Sequence, residues 1–284
     1  MTGPPPRLTD RAALVRQRAR ARTRPGGVER LFHDLAATEI EERLAAVNRV
    51  FTSPALVAPF PDAFAESANW QRILADDAVL GLEPGAHDLV VHALALHWAD
   101  DPVGQLVQCR RALQPDGLFL GIFFGGRSLA ELRACLAEAE AALTGGLSPR
   151  VAPMAEVRAA GDLLQRAGFA LPVADSVLQD LSYPDAFALM ADLRAMGETN
   201  ALAARHRRIP PRALFPEAAR RYAERSGTRD GRVRATAEMI VLTGWAPGPG
   251  QQRPLRPGSA TARLAEALGT AETPLPDAAT PGRD

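Results

Sequence analysis

The run from His87 to Gly126, HDLVVHALALHWADDPVGQLVQCRRALQPDGLFLGIFFGG, constrains the fold more than any other stretch of this 284-residue chain. His87-Asp88 opens into Leu89-Val90-Val91, apolar without alternation, as in a strand buried on both faces of a parallel sheet. Val103, Leu106, Val107 and Leu113 then recur at helical spacing. Gln114-Pro115-Asp116-Gly117 predicts a turn that stops this helix. Leu118 to Phe124 returns as a second apolar strand. Strand, helix and strand make a βαβ unit, and the right-handed crossover sets its strands parallel. The fold class is α/β.

The wording of this unit, with HDLVV, LALHW, RRAL and PDGLF in that order, resembles the fourth and fifth strands of class I S-adenosylmethionine-dependent methyltransferases. It is most similar to the branch containing the complex I assembly protein that hydroxylates an arginine. The resemblance implies a Rossmann-like, mostly parallel sheet with an antiparallel terminal pair, S-adenosylmethionine as cofactor, and a respiratory complex I subunit as partner. The expected location is cytoplasmic, at the periphery of the inner membrane.

One family feature is missing. The family binds its cofactor on a loop resembling D-x-G-x-G-x-G after the first strand, where the backbone turns tightly and no Cβ fits. No glycine occurs between Gly27 and Gly81. In the loop's place stands Phe51-Thr-Ser-Pro-Ala-Leu-Val-Ala-Pro-Phe-Pro-Asp-Ala-Phe64, whose prolines hold φ near −65°. Only 32 residues separate Leu56, the expected end of the first strand, from Asp88. Two strands and two helices do not fit there, because each βαβ unit takes about 30 residues. The second strand is expected to be deleted, with an eroded cofactor site that binds no cofactor at all in one reading.

Composition narrows the chemistry. All 33 basic residues are arginine and balance 33 acids, so no net charge draws the chain to nucleic acid. The lack of lysine excludes Schiff-base and P-loop lysine chemistry. Cys109 and Cys135 both fall in helical patterns, which argues for a reducing compartment. No apolar run has the length of a membrane span. No histidines stand at helical i, i+4 spacing, so no metal site is expected.

Residues 1–50 form a basic N-terminal region with a helix from Val28 to Asn48. The segment Arg11 to Arg22 reads as a solvated or domain-docking helix, since it lacks the apolar face of a membrane anchor. The methyltransferase-like domain spans 51–246. It includes helices at Leu129 to Leu143 and Met154 to Ala167, and strands at Leu171 to Leu181 and Arg232 to Trp245. A helical insert at 184–228 carries Leu189-Met-Ala-Asp-Leu-Arg-Ala-Met-Gly-Glu-Thr-Asn200, similar to the same branch. The tail, 247–284, is rich in Pro, Gly and Ala and is expected to be mobile, with a short helix at Thr261 to Leu268.

Candidate site residues follow the rule that open α/β sheets bind ligands beyond the carboxyl ends of their strands. By resemblance, Asp76 and the adjacent Asp77 meet the cofactor adenine, although aspartate there also suits a turn or a cap. His92 and Ala93 line the cofactor side. His97 is a candidate general base and Trp98 a stacking surface for a planar guanidinium or adenine; the blander alternative has them capping and packing a loop. Gly125, Gly126 and Arg127 form the rim after the fifth strand, where the branch has Gly-Gly-Asp and Arg127 reverses the charge. Glu131 and Arg133 match its helix, or lie on an exposed face. Met196, Gly197, Glu198 and Asn200 of the insert complete the expected substrate or partner surface. Two functions stand: a binding or assembly factor with a degenerate cofactor site, or an active methyl-transferring or arginine-modifying enzyme.

Overall fold

The computed structural model describes residues 7–251 and 268–270. Its strands are β1 (Pro54–Val57), β2 (Arg72–Leu74), β3 (His87–Ala93), β4 (Leu113–Phe124), β5 (Ala170–Tyr183) and β6 (Val233–Trp245). They form one sheet in the order β2-β1-β3-β4-β6-β5. The first four run parallel, and β6 pairs antiparallel with both β4 and β5. The expected α/β sheet with an antiparallel terminal pair is the one observed.

Every residue of β3 is buried, which accounts for its unbroken apolar run. The helix α3 (Pro102–Ala112) begins where the Asp101 side chain accepts from the Gly104 N–H and Pro102 presets the first turn. Gln114 to Gly117 forms no free turn, contrary to the sequence expectation. This segment already belongs to β4, with Asp116 at φ 62°. Its backbone is tied to the end of β6, through Asp116 N–H to the Ala246 carbonyl at 3.1 Å and Ala246 N–H to the Gly117 carbonyl at 2.8 Å. Bonds of this kind satisfy backbone groups that a turn would leave to water.

The short interval before β3 holds two strands and no α-helix. A 3₁₀ turn at Pro61–Phe64 follows β1, and the three-residue β2 pairs directly with β1 at the sheet edge. Among the described residues no strand lies beyond β2. Asp88 anchors the entry to β1: its carboxylate accepts from the N–H groups of Thr52 and Ser53.

Helix α2 (Leu31–Val47) covers one face of the sheet, with Phe32, Ala36 and Ile40 buried against Leu56, Leu89, Val91 and Leu120. On the other face α3 and α5 (Val157–Ala167) bury Leu106, Cys109, Ala160 and Leu164 against Val90, Phe119 and Leu242. Each such Leu, Ile or Phe contributes about 1.5–3 kcal/mol by leaving water. Residues 31–47, placed in an N-terminal region by sequence, are thus part of the domain core. Helix α4 (Ala130–Thr144) joins the insert helices α6 (Ala186–Ala195) and α7 (Leu214–Ser226) in a third cluster built on Leu132, Leu189, Leu214 and Tyr222. The chain divides into compact units at Pro249 and Gly250. Apart from Leu268, the helix expected at 261–268 falls outside the described residues.

Candidate functional site

The N-terminal helix α1 (Arg11–Arg22) crosses the carboxyl ends of β1, β2 and β3. Arg22 donates to the Pro59 carbonyl at 2.6 Å and lies over the Phe60 ring, beyond β1. Arg18 and Arg11 both reach Asp76, beyond β2. Thr9 donates to the Trp98 carbonyl at 2.8 Å, beyond β3. The helix is capped by Asp10, whose side chain accepts from the Ala13 N–H. Its inner stripe of Arg11, Leu14, Arg18 and Ala21 follows the 3.6 period. Two arginines therefore stand on the face that packs inward.

Asp76 is buried and its side chain is fully engaged. Arg18 Nη1 lies 2.7 Å from Oδ1 and 2.9 Å from Oδ2, and Arg11 Nη1 lies 3.1 Å from Oδ2. Burial alone would raise the Asp76 pKa, but the two guanidiniums outweigh it and hold the carboxyl below the usual carboxylate range. Asp77 is exposed, 3.6 Å from Arg11. Arg18 is itself buried, and its Nε and Nη2 have no partner.

A second centre forms around Glu198 from the insert. Its Oε2 accepts from Trp98 Nε1 at 2.6 Å and stands 3.1 Å from His97 Nε2. Burial works against its ionisation, and His97, Arg18 and Trp98 reverse that effect, so its pKa is lowered. Gly197, at φ 76°, lets the insert pass close to α1, because a Cβ there would come 3.1 Å from Arg18 Cα. Met196 is buried beneath. His97 and Trp98 thus occupy a buried 3₁₀ turn and converge on one carboxylate.

Beside this centre lies an apolar cavity of about 250 Å³, walled by Phe32, Phe124, Leu132, Met190, Leu193 and Phe215. Trp98, Glu198 and Asn200 reach its lining, with Arg150 and Arg194. No hydrogen bond engages Glu198 Oε1 among the described residues, which leaves one carboxylate oxygen available on this lining. Asn200 holds the loop shape by donating to the Pro149 carbonyl and accepting from the Leu202 N–H.

The remaining sequence candidates stand apart from the cavity. His92 is fully buried and meets Gln105 at 2.8 Å, and burial lowers its pKa. Its side chain is enclosed under α3 and does not reach the cavity beside Glu198. Ala93 is buried in β3, paired with Ile122 of β4. The N–H groups of Gly125 and Arg127 bind the Glu238 carbonyl and carboxylate, and Gly126 N–H binds the Ala155 carbonyl. Glu131 is not on an open face: it accepts from Thr236 Oγ1 at 2.5 Å. Arg133 is half-buried with its Nε unpartnered. Sequence reasoning missed Arg18, whose signal was a charge on the apolar stripe of α1, and missed the cavity wall from Phe32 and Phe215. Among the described residues no cluster of His, Cys, Asp and Glu is arranged to hold a metal.

A parallel sheet with an antiparallel terminal pair, and candidate residues at its carboxyl edge, define a class. The chain is similar to class I S-adenosylmethionine-dependent methyltransferases, and residues 29–121 match the family described as "Methyltransferase domain". Among the proteins it resembles is the mitochondrial arginine-hydroxylase NDUFAF5. Identity to the Homo sapiens protein is 40% over 194 residues, covering 68% of this chain and 56% of that one. For the Danio rerio protein it is 36% over 196 residues, covering 69% and 61%. Malonyl-[acyl-carrier protein] O-methyltransferase of Xylella fastidiosa is 35% identical over 184 residues, covering 63% and 60%. The chain thus spans about three-fifths of the length of these relatives. Among the described residues no helix is long and apolar enough to cross a membrane.

Proposed function

We propose that this chain is a methyltransferase-fold binding factor that holds an arginine-bearing segment of a protein partner, a respiratory complex I subunit being the partner its relatives suggest. The observation that carries the reading is the seat of Arg18 on Asp76, the acid that the family resemblance assigns to the cofactor adenine. A cofactor contact at Asp76 would have to compete with a buried guanidinium. Stripping one partner from such a pair costs about 3–5 kcal/mol. The residues present do not fit S-adenosylmethionine: Pro59, buried Phe60 and Pro61 follow β1 where a glycine loop would be needed. The cavity suits the proposed segment, since apolar walls accept the aliphatic stem of an arginine and Glu198 Oε1 can receive its head. A cytoplasmic location at the periphery of the inner membrane belongs to the same reading.

Calorimetric titration of the full chain with S-adenosylmethionine and S-adenosylhomocysteine tests it. The expected result is no binding heat at millimolar ligand. Micromolar binding that Asp76→Ala abolishes would overturn it.

An arginine-modifying enzyme is the second reading, favoured by the meeting of His97, Trp98 and Glu198 on the cavity side of the sheet. It requires a mass change on an arginine-containing peptide incubated with the chain and S-adenosylmethionine. The binding-factor reading requires peptide binding that weakens in Glu198→Gln, with no mass change.

A further inference from the structure

The chain carries equal numbers of acids and arginines, yet two arginine-rich segments contain no acid: residues 11–28, with six arginines, and residues 201–216, with four. The fold brings these segments together. Thr9 bridges Leu202 antiparallel, Asp10 N–H donates to the Ala201 carbonyl at 2.7 Å, and Ala203 N–H donates to the Leu8 carbonyl at 2.8 Å. Asp10 then pairs with Arg205 at 2.8 Å and reaches Arg207 at 3.5 Å. The acids that pair with arginines of this region are Asp10, with Arg205 and Arg207, and Asp76 and Asp77, with Arg11 and Arg18.

Arg16 and Arg20 on the outer side of α1, and Arg208 and Arg212 on the loop, are exposed and form no ion pair among the described residues. Other arginines are compensated locally, Arg220 and Arg221 by Glu217, Arg225 by Glu138, and Arg43 by Glu39 and Asp175, while exposed arginines without an ion pair, such as Arg158 and Arg166 on α5, stand beside an acid of their own helix, Asp162. Segregated positive charge of this kind raises the local concentration of anionic partners. Within the face, Ile209 is 95% exposed and Val15 56% exposed.

We infer that the outer face of α1 and the 201–212 loop form one docking surface for an acidic segment of a partner protein. Carboxylates suit a face whose cations are all arginine, since the guanidinium fork takes them two hydrogen bonds at a time. An anionic membrane fits less well, because neither α1 nor the 201–212 loop carries a Phe, Tyr or Trp and two isolated aliphatic side chains make a shallow anchor. This surface is separate from the cavity beside Glu198 and adds a second contact to the proposed binding function.

The test is fluorescence anisotropy of the full chain with a labelled decaglutamate peptide at low salt, beside sedimentation with vesicles of phosphatidylcholine and phosphatidylglycerol. A quadruple variant, Arg16→Glu, Arg20→Glu, Arg208→Glu and Arg212→Glu, is compared with Arg158→Glu and Arg166→Glu on α5. Thermal melting verifies that both remain folded. The inference expects peptide binding that falls with salt, drops more than about tenfold in the quadruple variant and persists in the α5 control. Equal loss in both variants, no peptide binding, or vesicle binding without peptide binding would overturn it. None of these readouts involves S-adenosylmethionine or Glu198, so failure here is distinguishable from failure of the cavity reading.

Discussion

Arg18 Nη1 sits 2.7 Å from Asp76 Oδ1 across 58 residues of chain, with both side chains about 95% buried. Their pairing joins the N-terminal helix to the end of β2. Asp76→Ala should therefore destabilise the chain by about 3–5 kcal/mol, because it leaves a buried guanidinium with no carboxylate. Arg18→Met should cost less, since Arg11 still neutralises Asp76 and the methionine stem fills part of the space. Urea unfolding of the two variants, followed by far-UV circular dichroism, measures the order. Equal midpoints would contradict the assignment of Asp76 to α1.

Gly197 combines φ 76° with a Cβ position 3.1 Å from both Arg18 Cα and Cγ. Gly197→Ala is expected to cost about 1–2 kcal/mol, from the left-handed backbone and the displacement of α1. Hydrogen exchange should show faster amide exchange in residues 11–22 while β3 stays protected. Uniform acceleration would indicate global destabilisation instead.

Glu140 accepts from Arg150 and Ser148, and these bonds depress its pKa from 4.5 to about 2. A carboxyl whose folded pKa is depressed contributes stability above its unfolded value and loses it as pH falls toward the folded value. The contribution should be complete above about pH 4.5 and decline toward pH 2. Glu140→Gln should flatten this part of the acid limb, read as the difference in unfolding midpoint between the variant and the parent protein across that window.

Cys109 is fully buried and burial pushes its thiol pKa up to about 12; burial also raises that of Cys135. Neither should form thiolate at pH 8 in the folded chain. A thiol-reactive chromophore should titrate less than about a tenth of the thiols within minutes in buffer, and both cysteines in denaturant. Rapid native modification would show that the enclosing helices open.

The βαβ unit was legible because burial on both faces leaves an unbroken apolar run, and its helix has a 3.6 period. The reduced strand pair before it was legible from residue count alone, since chain length sets an upper limit on elements. Asp76 was legible as a candidate by resemblance, and Glu198 by its place in the insert motif. Their partners were not, because Arg18 and Trp98 meet them across 58 and 100 residues. No local pattern encodes a contact at that separation. The cavity wall escaped for the same reason, being assembled from α2, α4, α6, α7 and β4.

The sequence by itself determined the order of elements, the parallel core of the sheet and the absence of a glycine loop after β1. These depend on periodicity, turn chemistry and backbone freedom, which act over a few residues. Tertiary structure alone decided that α1 lies over the strand ends, that its inward arginines neutralise Asp76, and that two acid-free segments share one face. Those outcomes depend on which distant surfaces can pair buried charges, and that pairing exists only once the sheet has brought the chain together.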